Sequence, residues 1–321
     1  MKRIPMLASL LAAVAVLLLA PAALAEAPLR GGQAPGWYRM TLGRFEVTAL
    51  SDGTVPAPVD RLLHNIAPER ERALLARAYL KPPVETSVNG FLVNTGGKLV
   101  LIDTGAGGRL GPTLGKLLAN LEASGYAPAE VDEVYLTHLH SDHAGGLVTA
   151  DGKAVFSHAV VRLDAGEADY WLSPAHRDAA PADMRDVFDA AMAAMKPYVE
   201  AGRVRPYHGP IELMPGIRAV PAPGHTPGHS IYVIESDGQK LVVWGDTVHV
   251  ASVQFPQPTA AWVEWDSTRA IAERLKNFAD AARNGYYVAL AHVDFPGIGR
   301  LRADGKGYVW VPAVYHNGGT R

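Results

Sequence analysis

Thr137-His138-Leu139-His140-Ser141-Asp142-His143 puts three histidines and one aspartate within six residues. The apolar run Val134-Tyr135-Leu136 precedes it and Ala144-Gly145-Gly146 follows, so a buried strand is predicted to end in a ligand-bearing loop. His138 and His140 are two apart and face the same side of an extended backbone. Asp142 and His143 then turn toward a neighbouring point. One ion rarely takes four ligands from so short a run without strain, so two adjacent divalent cations are the natural reading. Imidazole nitrogen plus carboxylate oxygen, without thiolate, suits zinc best. A lone His-x-His is a weak signal; His-x-His-x-Asp-His is specific.

The rest of the chain bounds the setting. It has 321 residues, 48% of them hydrophobic, which is ample for a large core. A formal charge of −2 gives no electrostatic footprint for nucleic acid. Residues 1–25 read as a secretory signal. Lys2 and Arg3 supply the positive start, Met6 to Ala20 the apolar core and Ala23-Leu24-Ala25 the cleavage motif. That core is short for a membrane span and Pro21 breaks it, so no membrane association is expected after cleavage. The expected location is the periplasm or outside the cell. There is no cysteine, so stability must come from packing and bound metal.

Residues 26–36, rich in Gly, Pro and Ala, are a flexible lead-in, and 37–321 form the working domain. Strands are predicted at 38–42, 45–50, 88–94, 98–102, 131–136, 155–163, 217–220, 230–235, 240–244 and 286–291. Ser51-Asp52-Gly53 is read as the end of the second strand. Helices are predicted at 69–80, 113–124, 165–172, 183–199 and 268–282, with 56–67 and 173–182 as loops. Each half runs as antiparallel strands and then helices, an α+β pattern of two sheets packed face to face with helices outside. Three further residues close strands where loops can converge: His225 in Pro223-Gly224-His225-Thr226-Pro227-Gly228-His229, Asp246 after the 240–244 strand, and His292 after the 286–291 strand.

These motifs resemble those of the metallo-β-lactamase superfamily. The likeness is strongest to the methyl parathion hydrolase branch and its lactonase relatives, through Gly36-Trp37-Tyr38-Arg39-Met40, Leu50-Ser51-Asp52-Gly53-Thr54, Glu85-Thr86-Ser87-Val88, Gly111-Pro112-Thr113-Leu114-Gly115 and Phe295-Pro296-Gly297-Ile298-Gly299. It implies an αββα sandwich of two mixed sheets with the metals at one edge. It assigns His138, His140 and His225 to one zinc ion and Asp142, His143 and His292 to the other, with Asp246 bridging. It also implies a homodimer.

The resemblance further implies a cleft lined by Leu62, Leu110, Trp171, Phe188, Val263 and Trp265. Asp103, and more weakly Asp52, is expected to brace the metal loop, and His229 to support it. His249, three residues after Asp246, is expected to orient or polarise the substrate. Relatives carry a tyrosine or an aliphatic residue there. Leu62 stands where methyl parathion hydrolase has a basic residue.

The expected reaction is attack on a small uncharged lactone or aryl ester by a metal-bridging hydroxide, with Asp246 or Asp142 moving the proton. A phosphotriester is the alternative substrate. No G-x-S-x-G or cysteine offers a competing nucleophile. A β-lactamase is disfavoured by Asp246, a glyoxalase II-type thioesterase by the exported location, and a nuclease by the lack of basic surface. Intact ligands with open coordination disfavour a non-enzymatic metal-binding protein.

Overall fold

Successive residues of the central strands are apolar on both sides, so each sheet must be covered on both faces. Phe91 and Val93 enter the core between the sheets while Leu92 joins the helical layer. Val100 and Ile102 alternate with Leu99 and Leu101 in the same way. In the second half Tyr232 and Ile234 face the inter-sheet core, and Ile231 and Val233 face outward. This computed structural model describes Leu29 and residues 31–315. The signal segment, the start of the lead-in and His316 lie outside the described residues. Residues 35–315 form one compact unit.

The first sheet runs in sequence order: β1 (Trp37–Leu42), β2 (Phe45–Ala57), β3 (Val84–Asn94), β4 (Leu99–Ile102), β5 (Glu133–Tyr135) and β6 (Val160–Arg162). The second holds β7 (Ile211–Met214), β8 (Ile217–Pro221), β9 (Ser230–Ser236), β10 (Gln239–Val243), β11 (Tyr287–Ala289), β12 (Ile298–Asp304) and β13 (Gly307–Pro312). Both sheets are mixed. β4, β5 and β6 are parallel, as are β10 and β11, and the remaining pairs are antiparallel.

The helices are α1 (Val59–Leu62), α2 (Pro68–Arg77), α3 (Leu117–Ala123), α4 (Ser141–Ala144), α5 (Ala165–Trp171), α6 (Pro174–Ala179), α7 (Ala182–Glu200), α8 (Ala251–Gln254) and α9 (Ser267–Asn284). Leu117, Leu121, Phe188 and Met195 from α3 and α7 cover the first sheet; Phe278 and Ala281 of α9 cover the second. Each such large apolar side chain contributes roughly 1.5–3 kcal/mol on burial. The αββα sandwich expected from the sequence is the fold observed. Among the described residues, no helix is long and apolar enough to cross a membrane.

Several boundaries differ from the sequence reading. β2 continues to Ala57 through a register shift between Ser51 and Gly53, so Ser51-Asp52-Gly53 is a bulge rather than a strand end. Asp52 accepts hydrogen bonds there from the amides of Ala106, Gly115 and Leu117. This holds residues 106–116 off the helix, which begins only at Leu117; Leu114 instead packs with Val88 and Ala106. Asp52 thus fixes the 105–117 loop and not the metal-motif loop. The expected loop 173–182 contains α6, whose first turn is capped by the Ser173 hydroxyl. The loop at 56–67 contains α1.

Candidate metal centre

The site assembles because parallel strands deliver their C-terminal ends to one edge. β4 is followed by Asp103, β5 by Leu136 and Thr137, β10 by Gly245 and Asp246, and β11 by His292 three residues on. Asp103 ties two of these ends together. Its carboxylate accepts from the Thr137 amide and hydroxyl, each at 2.8 Å, and lies 2.9 Å from His143 Nδ1. Ser230 N donates to Thr137 O at 2.9 Å, joining the second sheet to the same loop. Two glycines permit the close approach. A Cβ on Gly146 would sit 2.0 Å from Thr104 O, and Gly245 (φ +50) packs where a Cβ would meet His229 Nε2 at 2.7 Å.

The seven residues of the expected ligand set come together. One donor atom from each of His138, His140, His225 and Asp246 lies within 4.8 Å of the others, and the same holds for Asp142, His143 and His292. Asp246 stands between the groups. Its Oδ2 is 3.1 Å from His225 Nε2 and 3.6 Å from His138 Nε2; its Oδ1 is 3.0 Å from His143 Nε2 and 3.1 Å from His292 Nε2. His140 presents Nδ1, 3.0 Å from His225 Nε2, where the others present Nε2. His138 Nε2, His143 Nε2 and Asp246 Oδ1 are buried and make no hydrogen bond. Buried polar atoms crowded together without hydrogen bonds are costly unless a cation takes them. The donor set therefore fits two divalent cations sharing Asp246, and N/O donors without sulfur suit zinc.

Four of the five donor imidazoles, those of His138, His143, His225 and His292, are held from the far side, which fixes the tautomer. His138 Nδ1 meets Thr137 Oγ1 at 3.0 Å, His143 Nδ1 meets Asp103, and His292 Nδ1 donates to Ser87 O at 2.9 Å. His225 Nδ1 donates to Glu264 Oε2 at 2.9 Å. The other oxygen of Glu264 accepts from Arg274 Nη2 at 3.0 Å and from the Trp262 amide. Arg274 is itself buried and donates to the carbonyls of Thr247 and Ala260. Glu167 binds the two ligand loops together, accepting from Leu139 N, Thr226 Oγ1 and Gly228 N. His229 donates from Nδ1 to Ala222 O and accepts the Asp246 amide at Nε2, so it supports the loop, as the sequence reading expected.

The electrostatics divide the histidines. Burial is the largest influence on each and disfavours the imidazolium. It prevails at His138, held well below the ordinary histidine value, and at His140 and His229, both pushed down to about 3. At His225 burial is outweighed by Asp246 and Glu264, and the pKa rises to about 10. His143 is raised well above its ordinary value against burial by Asp246, Asp142 and Asp103; His292 is raised by Asp246 and Asp142. Burial alone would raise Asp246, but His143, His292 and His138 hold it well below the carboxylate range.

Above this cluster opens a cleft of about 510 Å³. His249 lines it beside the centre, with Nε2 3.1 Å from Asp246 Oδ2. Its ring is stacked between Trp262 (4.6 Å, 6°) and His292 (5.3 Å, 15°), and its Nδ1 is buried without a partner. Gln254 fixes the backbone here by accepting from the amides of His249 and Val250. Burial pushes the His249 pKa down to about 4, so the ring is neutral at neutral pH.

Of the residues expected to line the cleft, Leu110, Trp171, Val263 and Trp265 do so. Leu110, Val263 and Trp265 form an exposed apolar rim, and Trp171 lies edge-on to His140. Two do not line it. Phe188 is buried behind Trp171, 4.6 Å from its ring, because α7 turns that side chain into the outer core. Leu62 sits half-buried on α1 outside the lining. Trp262, Tyr170, Met184 and Val187 line it instead.

Residues 83–283 match the metallo-beta-lactamase superfamily. The chain belongs to that superfamily, and its donor set makes it a binuclear metal hydrolase. More particularly, it is similar to the solved structure of hydrolase AbOPH in the beta lactamase superfamily, with 38% identity, a TM-score of 0.84 and coverage of 89% of this chain and 100% of that one. It is also similar to AidC, a dizinc quorum-quenching lactonase solved with the product N-hexanoyl-L-homoserine (26% identity, TM-score 0.81, covering 88% and 99%). An N-acyl homoserine lactonase of Bacillus cereus is 25% identical over 128 residues. That match spans 40% of this chain and 42% of the relative.

Proposed function

We propose that this chain hydrolyses small uncharged lactones and aryl esters at a pair of zinc ions, and that residues 1–25 direct its export. The observation that carries the reading is the position of the unpartnered donor atoms, at the floor of an apolar, aromatic-rimmed cleft with neutral His249 beside them. The likeness to a dizinc lactonase and to an acyl homoserine lactonase supports the same substrate class.

His138, His140, His225 and Asp246 would hold one cation, and Asp142, His143, His292 and Asp246 the other. When bound, the pair supplies Lewis acidity and a water acidic enough to ionise near neutral pH. The chain's own residues do the rest. The apolar rim of Leu110, Val263 and Trp265 desolvates the substrate and selects flat, uncharged molecules. The His249 ring, locked between Trp262 and His292, offers its Nε2 proton to a carbonyl or leaving oxygen arriving beside Asp246. Being neutral, it donates a hydrogen bond rather than a proton. Asp142 is 24% exposed at its side chain against 3% for Asp246, so it is the carboxylate that can carry a proton between the leaving oxygen and solvent.

The test is a panel on zinc-loaded protein: dihydrocoumarin, aliphatic γ-lactones, acyl-homoserine lactones, p-nitrophenyl esters and methyl parathion. Lactones or aryl esters are expected to give the highest kcat/KM. A higher value for methyl parathion than for every lactone would overturn the ranking.

A further inference from the structure

A second cavity lies far along the chain from the metal motif, between the outer face of β8–β10 and helix α9, with a volume of about 390 Å³. That is within the range of small-molecule pockets. Its floor is aliphatic. Val220 and Ile231 are paired across β8 and β9, and Val233 and Val242 across β9 and β10, so their side chains form one continuous patch. Its rim is cationic. Arg218 stands opposite Val233 at one side, Lys240 lies over the Tyr286 ring at 4.4 Å, and Lys276 and Arg283 project from α9.

Cross-strand acids flank two of these cations, Glu212 opposite Arg218 and Glu235 opposite Lys240. Four cations line the groove of a chain whose formal charge is −2. Lys276 is paired with Glu273 at 2.9 Å. Among the described residues, Arg218 and Arg283 make no ion pair. The one acid in the lining, Asp280, is occupied by the Tyr286 hydroxyl at 2.8 Å and by Asn284 Nδ2. Asn277, also in the lining and 7% exposed, has an Nδ2 that is buried without a hydrogen-bond partner. An unpaired buried amide is a cost that a ligand acceptor would remove.

We propose that this groove binds an amphiphilic monocarboxylate: an aliphatic chain on the Val/Ile floor with its carboxylate against Arg218, Arg283 and the Asn277 amide. Neither half of the lining is explained by a simple inorganic anion or by a neutral hydrocarbon; the two together match a molecule with both parts. A ring-opened acyl hydroxy acid is of this class. The assignment to the groove stands independently of which ester the metal centre turns over.

The experiment is calorimetric titration of the zinc-loaded full chain with sodium decanoate, decanol and inorganic phosphate in parallel. The same titrations are run on Arg218→Glu/Arg283→Glu and on Lys276→Glu. These are exposed positions outside the ligand set, and bound zinc per chain and the melting temperature serve as controls for an intact fold and centre. Wild type is expected to show a decanoate site that neither decanol nor phosphate fills. That site weakens about tenfold or more in the double variant, as two lost charge contacts require, while zinc content stays unchanged. Identical decanoate isotherms in wild type and double variant would overturn the proposal. So would decanol binding as tightly as decanoate, or phosphate binding as tightly, since either makes half of the site irrelevant.

Discussion

His225 Nδ1 and Glu264 Oε2 lie 2.9 Å apart where both side chains are shut off from solvent, with Arg274 closing the far side of the same carboxylate. The pair links the metal donors to the cleft wall. Glu264 sits between Val263 and Trp265, and the Trp265 amide donates to His225 O at 3.0 Å. One carboxylate therefore sets the aim of a donor imidazole and anchors the segment that rims the substrate cleft.

Glu264→Gln keeps the shape of the side chain but removes the charge that faces both His225 and Arg274. Loss of such a partner behind a histidine ligand costs about 10–100-fold in metal affinity. Leaving Arg274 buried without its counter-charge costs about 3–5 kcal/mol of stability. Chelator competition for zinc and urea unfolding measure the two separately. Unchanged zinc affinity would show that His225 needs no carboxylate to hold its orientation.

Loading the centre with metal should release protons. Ligation requires neutral imidazole, whereas the surrounding carboxylates hold His143 and His225 well above the ordinary histidine value and raise His292 in the metal-free cluster. Zinc affinity is therefore expected to rise with pH through the neutral range, with net release of protons on binding. Titration in buffers of different ionisation enthalpy counts them. A pH-independent affinity between pH 6 and 8 would contradict the charge distribution derived for the cluster.

His249→Leu removes the cleft-lining ring that lies beside the Asp246 carboxylate without belonging to the seven-residue donor set. Lactone kcat/KM is expected to fall about tenfold or more, the scale of one lost polarising hydrogen bond. A phosphotriester should lose less. The ratio of dihydrocoumarin to methyl parathion turnover is the readout, and an unchanged ratio removes His249 from the mechanism.

Glu167 is fully buried, and burial raises its pKa to about 7 against the hydrogen bonds from Thr226, Leu139 and Gly228. A folded-state pKa above the unfolded value means that the native state keeps a proton the unfolded chain gives up. Its contribution is thus fully present at low pH and declines as pH rises from about 4.5 to about 7, by at most about 3 kcal/mol. Glu167→Gln has no such titration. Comparing unfolding free energies of the two proteins at matched zinc, from pH 5 to 8, isolates the slope. A constant difference across that range would contradict the assignment.

The sandwich was legible because each half runs as antiparallel strands and then helices, and because His138, His140, Asp142 and His143 lie within one loop. His225, Asp246 and His292 were legible as residues closing strands. What escaped was the layer behind them. Glu167 sits in a helix whose sequence looks half-solvated, and Glu264 and Arg274 are charged residues that local pattern assigns to the surface. Only the tertiary structure shows that each is buried against a partner from another segment. Phe188 and Leu62 were misassigned to the cleft for a related reason. An aromatic or aliphatic residue near a site packs as readily behind the wall as on it, and helix rotation decides which.

The measurement that bears most directly on the whole reading is metal content against activity. Purified active protein is expected to carry two zinc equivalents per chain by elemental analysis, to lose turnover on exhaustive chelation, and to regain it as the second equivalent returns. Full turnover in stripped protein, or full activity at a single equivalent, would contradict it.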